Sequence, residues 1–135
     1  MVKNFIPVNT PVIYKESKSN VIECLKTNWI SSSGKFIKKF EKSFAKYHSH
    51  KYAVSVSNGT AALEVAIKSL NLKKNSEVII PAFSIISTAQ CVIKEGLKPI
   101  LVDCDAGTWN MTYEEIKKKI NKKTKAIIIT HIYGL

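Results

Sequence analysis

Residues 55–70 read SVSNGTAALEVAIKSL, and the chemistry of the chain centres on the triplet Asn58-Gly59-Thr60 within them. The run opens with strand-like alternation, breaks at the triplet, and continues with Leu63, Ala66, Ile67 and Leu70 at helical spacing. A helix N-terminus carries unpaired N–H groups and the positive end of the helix dipole, a combination suited to an anion such as a phosphate. Gly59 lets a ligand approach the backbone closely, and Thr60 adds a hydroxyl donor. The same residues also describe an ordinary helix start, with Asn58 or Thr60 as the cap, and helix caps far outnumber phosphate sites. The turn alone does not choose between the two.

The elements around it narrow the choice. The segment YAVSVS is a short β-rich run, EVIIP a second ended by Pro81, KPILVD a third, and KAIIITH, residues 125–131, a fourth. Between them lie the helix after Gly59, a helix over SIISTAQCVIKEG stopped by Gly96, and one opened by a Thr112/Glu115 capping box. Upstream, Val21, Ile22 and Leu25 have helical spacing within residues 17–27 and WISSSGK reads as a turn. Phe36, Ile37, Phe40, Phe44 and Tyr47 then line one face of a second helix. The order is therefore a helical arm over residues 1–50 followed by βαβαβαβ over residues 51–135. It predicts an α/β fold with a mostly parallel sheet and helices on both faces. Ligands in such sheets bind beyond the carboxyl ends of the strands. Residues 58–60, 81–84, 103–105 and 131–134 all fall at those ends, which favours the phosphate reading of Gly59.

Composition excludes several other functions. The chain has 135 residues, 45% of them hydrophobic, which suits one globular domain. No apolar run reaches the length of a membrane span, and the first residues show no signal-peptide pattern. The net charge of +11 comes entirely from lysine, because all 21 basic residues are Lys and none is Arg. Arginine is the usual bidentate reader of phosphate and guanine, so its absence argues against a nucleic-acid partner. The lysines read instead as solvated helix faces. Cys24, Cys91 and Cys104 form no C-x-x-C pair and read as reduced core cysteines of a cytoplasmic protein. His48 and His50 lack a third metal ligand at fitting spacing, His131 reads as a structural or pocket-rim residue rather than a general base, and no metal site is expected. SNGT matches neither a Walker loop nor G-x-G-x-x-G.

Five segments, in order, carry a family likeness: WISSSGKFIKKFEKSFAKY, AVSVSNGTAALEVAI, EVIIPAFSIISTAQCVI, KPILVDCDAGTWNMT and TKAIIITHIYGL. Together they resemble the N-terminal portion of the DegT/DnrJ/StrS-type sugar aminotransferases, pyridoxal-phosphate enzymes of fold type I. The resemblance implies a three-layer large domain, and it places the phosphate of pyridoxal 5′-phosphate on Gly59 and Thr60. It sets Ile85 against the pyridine ring, where many relatives carry an aromatic residue. An aliphatic side chain there covers a ring face by dispersion, without stacking. Ile85 also fits a plain core position on its helix. Ser32, Ser33 and Gly34 match a loop near the substrate, and they equally suit a simple connector. Asp103 and Asp105 match no catalytic position and read as turn residues.

The resemblance further implies that the Schiff-base lysine and the acid facing the pyridine nitrogen lie beyond residue 135, so no catalytic residue is assigned in this chain. By that reading the complete enzyme, as a homodimer, moves an amino group from a donor such as glutamate to a nucleotide-linked keto sugar. The 135 residues alone are expected to be inactive, with an unpaired apolar sheet edge. The rival expectation is a non-catalytic, lysine-rich α/β module that binds a phosphorylated ligand or an acidic partner.

Overall fold

The computed structural model describes residues 6, 7 and 9–134. Backbone contacts divide the chain into two compact units, Met1–Ser55 and Val56–Leu135.

The first unit carries two helices, α1 (Lys15–Lys26) and α2 (Lys35–Tyr47). Thr27 closes α1 with its N–H on the Glu23 carbonyl at 3.0 Å, and Asn28 then turns the chain at φ 58°. That left-handed conformation is one Asn tolerates better than most residues. Lys35 at the start of α2 pairs with Glu23 of α1. Further along, the Glu41 carboxylate accepts the N–H and the hydroxyl of Ser55, each at 2.9 Å. These bonds, the backbone one first, hold the Glu41 carboxyl below its ordinary pKa.

The second unit holds α3 (Gly59–Ser69), β1 (Glu77–Pro81), α4 (Ser87–Lys94), β2 (Lys98–Val102), α5 (Tyr113–Lys119), β3 (Thr124–Ile127) and a short 3-10 turn, Ile132–Gly134. The strands form one parallel sheet in the order β2-β1-β3. From β1 the chain crosses to β2 on one side, then returns over β1 to reach β3 on the other. Right-handed crossovers in opposite directions place α4 and α5 on opposite faces of the sheet.

Strand alternation sorts the core accordingly. Val78 and Ile80 pack with Ile67 of α3, with Cys91 and Val92 of α4, and with Leu97. Ile79, one residue out of phase, faces the other layer and is equally buried. Val102 is paired in register with Pro81, two residues on from Ile79, and is also fully buried. Lys94 of α4 adds an ion pair to Glu64 of α3 at 2.6 Å. Gly96, at φ 72°, ends the α4 region as anticipated.

Four sequence expectations change. YAVSVS joins no sheet: Val54 and Val56 stay 78% and 40% exposed, and the ladder among the described residues has three strands. A strand is defined by its partner, and β-propensity supplies none. The fourth run is paired only over Thr124–Ile127, with one further bond from the Ile128 N–H to the Ile79 carbonyl at 2.8 Å. The helix expected to begin at Ser84 begins at Ser87, because residues 82–86 form a loop. Of the three cysteines, Cys91 alone is in the core, while Cys24 and Cys104 are half-buried. Leu101, Ile127 and Ile129 keep 58%, 40% and 60% exposure, so the sheet retains uncovered apolar surface. No helix of the described residues is long and apolar enough to cross a membrane.

This packing makes a contrast measurable by chemical denaturation. Ile80→Ala removes a side chain 1% exposed and should cost about 2–5 kcal/mol. Val54→Ala should change stability by less than about 0.5 kcal/mol, because its side chain gains little from folding.

Candidate functional site

Asn58 caps α3 with its side-chain oxygen on the Ala61 N–H at 2.9 Å, and its carbonyl takes the Ala62 N–H at 3.1 Å. The ordinary cap is therefore real, and it uses the third and fourth donors of the helix. The N–H groups of Gly59 and Thr60 have no partner among the described residues. A Cβ built on Gly59 would meet nothing within 4 Å, so the space where a side chain would stand is open. Gly59 has an ordinary φ, hence the glycine is not required by the turn itself. The Thr60 hydroxyl lies 2.8 Å from the Ser87 hydroxyl at the start of α4.

Ile85 is 70% exposed, which removes the plain-core reading for this side chain. It lines a cleft of about 230 Å³ with Phe83, Ser84, Ile132 and Tyr133. Two strand ends build that cleft, the loop after β1 and the turn after β3, where the crossover direction reverses. The Ser84 hydroxyl joins them, 3.2 Å from the Thr130 hydroxyl and 3.3 Å from that of Thr88.

A third loop, after β2, is braced against both. The Asp105 carboxylate accepts the Thr108 N–H at 2.8 Å, the Thr108 hydroxyl at 3.0 Å and the Gly107 N–H at 3.1 Å. These bonds, the Thr108 N–H first, hold the Asp105 carboxyl below its ordinary pKa. Asp105 is thus the turn residue expected from DCDAGTWN. The turn presents Trp109, whose ring sits 5.1 Å from that of Phe83. Asn110 accepts the Ile132 N–H on its side-chain oxygen at 2.8 Å, tying this loop to the turn after β3. Trp109 at φ 61° and Tyr133 at φ 53° both occupy the left-handed region, which is costly for bulky residues.

Three of the junctions picked out in the sequence lie at strand ends and are connected, residues 81–84 and 131–134 around the cleft and residues 103–105 through their loop; residues 58–60 follow no strand, against expectation, and connect through the Thr60–Ser87 bond alone. Gly59 and Thr60 do not line the cleft; the Thr60–Ser87 bond is their link toward Ile85. Ser32, Ser33 and Gly34 belong to the first unit, where they line a groove of about 750 Å³ with Trp29, Phe36 and Lys38. Gly34 opens α2 in extended conformation, without a side-chain cap. Sequence reasoning missed Ser87, Thr88, Trp109, Asn110 and Thr130 as site-building residues. The first two lie inside the quoted PAFSIISTA run and could have been singled out; the others depend on contacts made far along the chain. His48, at the end of α2, packs against the rings of Phe44 and Tyr47. Cys91 is buried, and burial pushes its thiol pKa up, away from reactivity.

Comparison with known proteins supplies the context. The DegT/DnrJ/EryC1/StrS aminotransferase family matches residues 11–135. GDP-perosamine synthase of Escherichia coli O157:H7 is 43% identical over 130 residues, which is 96% of this chain and 36% of that protein. Among solved structures, the aminotransferase from Psychrobacter cryohalolentis superposes with a TM-score of 0.84 at 32% identity, over 90% of this chain and 31% of that one. The E. coli GDP-4-keto-6-deoxy-D-mannose-3-dehydratase with bound hydrated PLP gives a TM-score of 0.84 at 31% identity, over 91% and 33%. The chain spans about a third of the length of the curated relatives it matches.

The Asp105 turn yields a pH test. Its carboxyl pKa is lowered in the folded state, so its contribution is complete above the unfolded value of about 3.9 and is lost as pH falls through the folded value. Thermal melts should therefore show wild type more stable than Asp105→Asn at pH 7. The gap should shrink as pH drops below about 4. An equal gap at pH 7 and pH 3 would remove the charge from this account.

Proposed function

This chain belongs to the DegT/DnrJ/EryC1/StrS aminotransferase family, and from that premise we propose that it seats the phosphate of pyridoxal 5′-phosphate. In this reading it is part of an aminotransferase acting on a nucleotide-linked keto sugar. The observation that carries the reading is the α3 N-terminus: two N–H donors without a partner among the described residues, a hydroxyl beside them, and open space where a Gly59 side chain would stand. Such a cradle fits a phosphate, since donors and dipole act together on one anion. A relative with bound PLP shares this fold at a TM-score of 0.84, which supports the same cofactor here. The family description favours amino transfer as the reaction, and the perosamine synthases among the relatives favour a nucleotide-linked sugar.

The residues then divide the work. Gly59 and Thr60 hold the phosphate through their N–H groups and the Thr60 hydroxyl. Ile85, exposed on its loop, covers one face of the pyridine ring by dispersion. When bound, the cofactor supplies the electron sink for moving an amino group. Ser32, Ser33 and Gly34 are assigned to the substrate side, on the groove of the first unit. Glutamate as amino donor and a homodimer as the working assembly complete the reading.

Binding of pyridoxal 5′-phosphate to the 135-residue chain, followed by fluorescence titration, tests it. Thr60→Val removes a hydrogen bond to a charged group, worth about 1.5–3 kcal/mol, and should weaken binding roughly tenfold or more. Gly59→Val should weaken it further while leaving the melting temperature close to wild type. Its side chain enters space that no protein atom uses and obstructs the ligand alone. Unchanged affinity in both variants would refute the phosphate reading.

A further inference from the structure

The Thr60–Ser87 pair has two hydroxyl protons and one hydrogen bond between its oxygens, 2.8 Å apart. One proton is used in the bond, and the other is left to whichever residue acts as acceptor. Burial decides the direction. Ser87 is 7% exposed, and Thr60 is the more accessible of the two. The Ser87 hydroxyl has no other partner among the described residues, and no buried side-chain polar atom among them lacks one. If Thr60 donated, the Ser87 proton would be stranded in the interior, which is the costlier arrangement. An arrangement in which Ser87 donates and Thr60 accepts strands no proton in the interior and leaves the Thr60 proton at the helix N-terminus.

We propose that Ser87 is a positioning residue that fixes Thr60 as a hydroxyl donor toward the bound phosphate. The inference rests on the phosphate reading given above and adds to it the orientation of one proton. Ser87 touches no ligand in this arrangement. It acts by occupying the Thr60 lone pair, so that the free Thr60 O–H joins the N–H groups of Gly59 and Thr60 in facing one anion. A hydroxyl that is already accepting a hydrogen bond is also the stronger donor. The effect is specific to an anionic ligand, because only a group offering lone pairs uses the third donor.

A double-mutant cycle on the 135-residue chain tests this with two probes, pyridoxal 5′-phosphate and inorganic phosphate. Circular dichroism melts accompany each variant to confirm folding. Ser87→Ala should weaken both probes about threefold to tenfold, less than Thr60→Val. Ser87→Thr, which keeps the hydroxyl, should hold affinity near wild type. The Ser87→Ala/Thr60→Val double variant should bind no worse than Thr60→Val, since Ser87 acts only through Thr60. Additive losses, or an equal loss in Ser87→Thr and Ser87→Ala, would overturn the relay. If Thr60→Val and Gly59→Val weaken binding but Ser87→Ala does not, the relay fails and the phosphate reading stands. If wild type binds neither probe, both fail together.

Discussion

Val78 and Ile80 of β1 face the layer of α3 and α4, Ile79 faces the opposite layer, and none of the three is more than 1% exposed. The strand is also paired on both edges, to β2 and to β3. Double burial leaves β1 no freedom to slip, because a one-residue shift would exchange the two faces and expose every one of these contacts. Register is thereby fixed at Pro81, opposite Val102, and the loop that follows starts from a defined point. Phe83, Ser84 and Ile85 are carried on that loop. The position of the cleft is thus a consequence of hydrophobic packing some residues upstream, and the polar contacts at the sheet edge refine a location the core has already set.

Helix capping and ligand binding draw on the same N–H groups, so a helix cannot be fully capped and also seat an anion. At α3 the two demands are divided. Asn58 serves Ala61 and Ala62, one through its side chain and one through its carbonyl, and leaves the first two donors unused. A residue without a side-chain acceptor at position 58 would leave more donors and a weaker helix end. The absence of a side chain at position 59 completes the division, since a Cβ there would meet nothing within 4 Å and the glycine therefore fills no packing role. The cap and the cradle are therefore compatible features of one turn rather than rival explanations of it.

What could be read from the sequence follows the range of the forces involved. The amphipathic pattern of Phe36 to Tyr47, the strand EVIIP and the Thr112 cap are local signals, and each appears as an element or cap where expected. The Thr112 side chain accepts the Glu115 N–H at 3.3 Å, one half of the expected box, while the Glu115 carboxylate pairs with Lys118 instead of returning to the Thr112 N–H. YAVSVS shows the limit of local pattern, because its residues favour extension but pairing depends on a neighbour that propensity does not supply. Site residues divide the same way. Gly59 and Thr60 are candidates that their local turn picks out, whereas Ser84–Thr130 and Asn110–Ile132 join residues 46 and 22 positions apart, and neither partner marks the other. Ile85 was placed by family likeness; periodicity alone would have put it in the core, where it is not.

Trp109 and Tyr133 extend this argument to backbone strain. Bulky residues at positive φ cost on the order of 1–3 kcal/mol each, so surrounding contacts must hold them there. For Trp109 those contacts are visible. Its N–H donates to the Asp105 carbonyl at 2.8 Å, and the Asp105 N–H donates to the Asn110 carbonyl at 3.0 Å, so the strained residue is clamped from both sides. The same Asn110 then holds Ile132, one residue before Tyr133. Both strained positions are therefore tied to a single asparagine, and both stand at the carboxyl edge of the sheet, where this class of fold places its ligands. The phenol of Tyr133 lines the cleft, and the indole of Trp109 stands behind it against the Phe83 ring, in conformations that core packing alone does not require.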